Sequence, residues 1–150
     1  MKNLKEQVAE LLDNMKVHYK VNENKCRFEL DIPTDNADVA INIFYDEQND
    51  GLYNLSCLTF NLPKERTTAL LRKINEINNA TLCPAHLYLD DDGNRLAAQS
   101  VIYVTGSGID KDIFQSFLFV PANMLDENFS EIMKVAFETE TEDKLETKEE

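Results

Sequence analysis

Three aspartates are the first residues here whose type and spacing could do chemistry. In HLYLDDDGNRLAAQSVIYV, residues 86–104, Asp90, Asp91 and Asp92 run into Gly93 between two apolar segments. Carboxylates so close together could hold a divalent cation. A calcium loop of the EF-hand kind needs oxygen ligands at alternating positions and a closing bidentate glutamate. Aligning Asp90, Asp92 and Gly93 to that pattern puts Tyr88 at the first ligand position and Gln99 at the last. Neither is a carboxylate, whereas Asp and Gly are the residues a hairpin turn prefers. We read a turn, with no metal and no cofactor.

Nucleophilic catalysis needs a nucleophile, a base and a group that orients the base. His18 and His86 are the only histidines. His18 falls at the end of the first helical pattern, beside Tyr19, and is expected to be exposed. His86 lies three residues from Cys83, a separation that puts the two on opposite faces of a strand unless Pro84 distorts it. TGSGID, residues 105–110, lacks the lysine and spacing of a phosphate-binding loop and reads as punctuation between strand and helix. Glu29 and Asp31 are outward residues of a strand rather than a general acid/base pair. No catalytic residue is assigned.

The elements that would have to position such groups are legible from periodicity. Leu4, Val8, Leu11, Leu12 and Met15 mark an amphipathic helix over residues 3–17. CRFELDI, residues 26–32, alternates as a half-buried strand, with Cys26, Phe28, Leu30 and Ile32 inward. A second strand over 38–47 is apolar on both faces, which predicts a central position. The Asp-Gly of QNDG, residues 48–51, turns it into a third strand over 52–62. Asn61 and Pro63 then open a helix over 64–79, with Leu70, Leu71, Ile74 and Ile77 as its buried stripe. A strand, turn and strand follow. Asp110 is placed to cap a final helix, which Pro121 is expected to kink or split. The order α-β-β-β-α-β-β-α predicts one α+β domain over residues 1–137 with a largely antiparallel, five-stranded sheet.

Composition narrows the function classes. The chain has 150 residues and a net charge of −13, from 28 acidic and 15 basic residues. The segment ETETEDKLETKEE, residues 138–150, is dense in acids and is expected to be a disordered tail. An acidic body repels phosphate, which argues against nucleic acid and anionic membrane surfaces as partners. No apolar run approaches the roughly 18 residues that span a bilayer. Charges throughout the first fifteen residues interrupt any signal-peptide pattern, so a cytoplasmic protein is expected. Cys26, Cys57 and Cys83 are odd in number and widely spaced, unlike a disulfide framework or zinc site. Cys26 and Cys57 sit in apolar alternations and read as small core hydrophobes.

What stands out is apolar surplus. Phe44, Val101 and Tyr103 fall on strand faces opposite Ile43, Ile102 and Val104. A sheet apolar on its second face buries it against something. The chain's own elements, a crossing last helix, a second copy or a partner protein could each cover it. These three residues are the candidate protein-contact surface.

The run LLRKINEINNATLCPAHLYLDDDGNRLAAQSVIYVTGSGIDKDIF, residues 70–114, resembles the YbjN-like family of small bacterial proteins. There a helix with paired asparagines, here Asn75 and Asn78, leads to a strand, an acidic-glycine turn and a second strand. The likeness runs over residues 65–137 and continues toward the N-terminus in element order. It implies a type III secretion chaperone-like fold and a regulatory or chaperone-like role, and it supplies no catalytic residue. The expectation is a non-enzymatic protein-interaction domain, homodimeric or bound to a partner's apolar segment. Two alternatives stand beside it. One is a small-molecule binder or small enzyme with a pocket near His86 and Cys83. The other is a secretion chaperone dedicated to one client.

Overall fold

The computed structural model describes residues 2–91 and 94–138. Asp92, Gly93 and the acidic tail beyond Glu138 lie outside them. Helix α1 (Leu4–Asn14) opens on a capping box, in which the Asn3 side chain accepts from the Glu6 N–H and Glu6 returns the bond. Six strands follow: β1 (His18–Asn22), β2 (Arg27–Asp31), β3 (Val39–Asp46), β4 (Gly51–Leu58), β5 (His86–Asp90) and β6 (Arg95–Tyr103). Helix α2 (Thr67–Ala80) links β4 to β5, and α3 (Lys111–Glu127) and α4 (Phe129–Phe137) complete the domain. The strands form one antiparallel sheet in the order β1-β2-β3-β4-β6-β5.

The sheet therefore has six strands, not five. The additional strand is β1, where the apolar period had carried α1 through to residue 17. The helix ends early because Lys16 adopts a left-handed backbone (φ 59°). Its N–H bonds to Asp13 O and the Val17 N–H to Leu12 O, closing the helix as a Schellman motif. Cys26 also departs from expectation. It holds the turn between β1 and β2 at φ 50° and is exposed, not a core hydrophobe. Asp50 (φ 53°) and Asn94 (φ 60°) turn the other two hairpins, so among the described residues the left-handed positions at the α1 end and these three turns are held by residues other than glycine, and Gly108 (φ 91°) holds a fifth.

All four helices pack on one face of the sheet. Phe28, Ile41, Ile43 and Leu52 meet Val8 and Leu12 of α1 and Phe114 and Phe117 of α3. Leu58, Leu87, Leu96 and Ala98 meet Leu70 and Ile74 of α2, Leu125 of α3 and Ile132 of α4. Leu71, expected inside, points to solvent, as does Ile113 on α3. A 3-10 turn at Lys64–Arg66 precedes α2, and Asn61 does not cap it.

Pro121 neither ends nor splits α3. A proline inside a helix removes one N–H and crowds the carbonyl four residues back, here Phe117. The buried Asn54 of β4 repairs the damage. Its amide donates to Phe117 O at 2.9 Å and Leu118 O at 3.0 Å, while Ser56 Oγ donates to Asn54 Oδ1 at 2.9 Å. The break falls instead at Asn128, whose side chain takes Met124 O at 2.8 Å. Asp126 then ties α3 to the loop between β2 and β3, accepting the backbone N–H groups of Asn36 (2.7 Å) and Ala37 (2.8 Å).

Two predictions follow from these bonds. Asn54→Leu strands the Phe117 carbonyl and should cost about 1–3 kcal/mol in urea denaturation. In a Pro121→Ala background the restored N–H can serve Phe117, so the same change should cost at least about 1 kcal/mol less. For Asp126, burial would raise the carboxyl, but the N–H groups of Ala37 and Asn36 hold it below its ordinary 3.8. A carboxyl lowered on folding adds stability above its unfolded value and loses it as pH falls through the folded one. Asp126→Asn should therefore cost about 1 kcal/mol at pH 7. The gap to wild type should close as pH falls toward about 3, as read by denaturation at each pH.

Candidate functional site

The strand residues that alternate with the core residues face the other way, where none of the described helices lies. The register sets them in rows across the sheet. Arg27 is opposite Phe44, Phe44 opposite Tyr53, and Tyr53 opposite Val101. The Arg27 guanidinium sits 5.8 Å from the Phe44 ring centre, and the Phe44 and Tyr53 rings are 6.0 Å apart. Tyr53 Oη donates to Gln99 Oε1. One position further along, Tyr103 lies opposite Gly51, and its ring passes 3.8 Å from where a Cβ would stand there. Tyr103 is 77% exposed and Val101 46%.

Phe44, Val101 and Tyr103, expected from the sequence to share a second apolar face, do share it. With Gly51 and Tyr53 they line a shallow hollow of about 440 Å³. Tyr53 was not singled out beforehand, although its alternation with Leu52 and Asn54 was the signal that places it outward. In the next part of the face Ala40, Cys57 and Ala97 are in register. Their small side chains leave a second hollow of about 420 Å³, walled by Arg27, Glu29, Tyr88 and Arg95.

The electrostatics of this face favour contact over chemistry. Burial pushes the Cys57 thiol above its ordinary value, against the pull of Arg95, so it is protonated at neutral pH. Burial, then a hydrogen bond with Tyr53, pushes the Tyr88 phenol up as well. Glu29 is held below the usual carboxylate range by hydrogen bonds from Asn22 and Arg27, and it stays an ionised partner of Arg27 at 2.9 Å. Aromatic rings, an aliphatic side chain and paired charges suit the side chains of another polypeptide.

The other singled-out residues do not converge. Cys83 packs against the helix-side core with its Sγ on Ala85 O, whereas His86 is exposed beside Tyr88 on the open side. Neither lines the two hollows. His18 is exposed on β1, opposite Asp31. Asp90 ends β5 in register with Arg95, and Asp91 lies in the turn. Among the described residues no three His, Cys, Asp or Glu side chains gather as metal ligands, and no helix is long and apolar enough to cross a membrane.

The comparisons with known proteins agree with this architecture. The model of the YbjN family, described as "Putative bacterial sensory transduction regulator", matches residues 5–133. The crystal structure of YbjN from E. coli superposes with a TM-score of 0.64 at 14% identity, covering 82% of this chain and 86% of that one. A chain of the heterodimeric ExoU–SpcU complex from the type III secretion system of Pseudomonas aeruginosa has a TM-score of 0.56 at 16% identity. That match covers 87% of this chain and 98% of that one. No curated protein matches the chain. The fold is thus the secretion chaperone-like α+β arrangement that the resemblance implied, with one strand more than expected. With the family's model spanning most of its length and its fold shared with a solved member, this chain belongs to the YbjN family.

Proposed function

We propose that this protein is a non-enzymatic, regulatory or chaperone-like interaction domain that binds an apolar segment of a partner protein on the open face of its sheet. The observation that carries the reading is the gathering of Phe44, Tyr53, Val101 and Tyr103 on a face that none of the described helices covers. A large exposed aromatic beside an aliphatic neighbour is the composition of an interface centre. The family's description as a sensory transduction regulator supports a role exercised through partners. So does the likeness to a chain that occurs within a complex of two proteins. The net charge of −13 turns the reading away from nucleic acid and anionic membranes and toward a cytoplasmic protein partner. A second copy of the chain and a single dedicated client are both occupants of this kind.

A small-molecule or catalytic reading lacks its machinery on this face. The hollows are shallow, the Cys57 thiol and Tyr88 phenol are protonated at neutral pH, and His86 and Cys83 lie apart.

The test is direct because the face is already solvent-exposed. Val101→Asp and Tyr103→Asp should change unfolding free energy by no more than about 0.5 kcal/mol, as exposed substitutions do. Both should lower recovery of a partner captured by the wild type by about tenfold, the effect of losing an interface anchor. Ile113→Asp, on the helix side, should capture as wild type does. Light scattering on the same three variants reads self-association through the face. Unchanged capture and unchanged mass for Val101→Asp and Tyr103→Asp would remove the proposal.

A further inference from the structure

The two edges of the sheet end differently. At the β5 edge the Asn78 side chain bonds both backbone groups of Leu87, accepting its N–H at 2.9 Å and donating to its C=O at 3.0 Å. That amide occupies the place a further strand would take. At the β1 edge no such group is found. Among the described residues, no loop or side chain bonds to the backbone of residues 18–22 on its outer side. A row of unpaired N–H and C=O groups is a template for strand addition.

Charge selects what could be added there. Lys16, Lys20 and Lys25 lie before, within and after β1, and none has an ion-pair partner among the described residues. Lys20 stands opposite Glu29, but that carboxylate is taken by Asn22 and Arg27. These three ammonium groups lie among Asp13, Glu23, Glu29 and Asp31, so the edge is not positive overall; what it offers an added strand is the unpaired charge of Lys20 within the strand and of Lys16 and Lys25 at its ends. Its two sides differ in character. Tyr19 points toward the helix-side core, edge-on to Phe28 with ring centres 5.4 Å apart, and Val21 on the same side is 38% exposed. His18 and Lys20 point to the open side. An added strand would set its own side chains beside these in alternation.

We propose that the β1 edge accepts, by strand addition, an extended segment of a partner protein in which apolar and acidic residues alternate. The acidic residues would lie beside His18 and Lys20 and the apolar ones beside Tyr19 and Val21, over the five residues of the strand. This site uses edge backbone and lysines, so it does not depend on the open-face reading. Lysines on a sheet edge also serve to repel unwanted strands. On that role alone, no strand binds, acidic or otherwise.

The probe is a short fluorescent peptide alternating valine and glutamate, titrated into the full chain and read by anisotropy and by amide hydrogen exchange. The account expects saturable binding with slowed exchange across residues 18–22. Lys20→Glu should weaken binding by about tenfold, because an opposite-charge neighbour becomes a like-charge one. Lys25→Glu, in the adjoining turn, should weaken it in the same direction without touching the strand. Tyr103→Asp, on the open face, should bind as wild type does. N-methylation of alternate peptide amides should abolish binding. Absence of binding would overturn the proposal. So would equal binding by a valine–lysine peptide, indifference to Lys20→Glu, loss in Tyr103→Asp, or tolerance of N-methylation.

Discussion

The amide of Asn54, buried in the middle of β4, donates to two carbonyls of a helix that its own proline has damaged. Without that donor, Phe117 would present an unsatisfied carbonyl to the core at the point where Pro121 supplies no N–H. With it, α3 stays one helix of 17 residues, laid across β3, β4 and β6. The turn is deferred to Asn128, from which α4 folds back against α2. All the described helices lie on one side of the sheet. The opposite side is left to face solvent, and the function we propose depends on that asymmetry.

Other polar side chains extend the same principle to the connections. Asn94, left-handed at the turn between β5 and β6, donates to Leu62 O and Pro63 O and so holds the start of the α2 connection against the hairpin. Glu47 accepts the backbone N–H groups of Leu4 and Lys5, each at 3.1 Å, docking the first turn of α1 onto the β3–β4 turn. A carboxylate there also meets the positive end of the helix dipole. Asn78 and Asp126 do similar work on β5 and on the β2–β3 loop. Left-handed backbone falls to Lys16, Cys26, Asp50 and Asn94 as well as to Gly108, and the four non-glycines have side chains that can be used elsewhere. The result is a sheet fixed at its turns, a rigid platform with its rows in register.

Strands β2, β3 and β4 and the β5–β6 hairpin were legible because period-2 patterning survives in eight-residue stretches such as VAINIFYD. The open face was legible for the related reason that Phe44, Val101 and Tyr103 break the inside-outside rule in the same sense. What could not be read depends on residues distant in sequence or on backbone geometry without a characteristic residue. β1 was hidden because Lys16 stands where a glycine would have announced the helix end. The split expected at Pro121 falls at Asn128 instead, because the compensating donor lies on another element. Cys26 kept the alternation of β2 while belonging to a turn. Tyr53 and the trough over Ala40, Cys57 and Ala97 become visible only once the register is known. The paired asparagines of the family pattern gain a physical meaning in Asn78, which closes a sheet edge, while Asn75 is exposed on α2.

The central claim is that the helix-free face is occupied when the protein works, and side-chain oxidation footprinting addresses it most directly. Tyr103, 77% exposed in the single chain, should react readily in the purified protein at a dilution where light scattering reads a monomer. In living cells its reactivity should drop several-fold, as expected of an aromatic buried in an interface, while Ile113 on the helix side stays unchanged. Equal reactivity of Tyr103 in both settings, with protection confined to the helix side, would contradict the account.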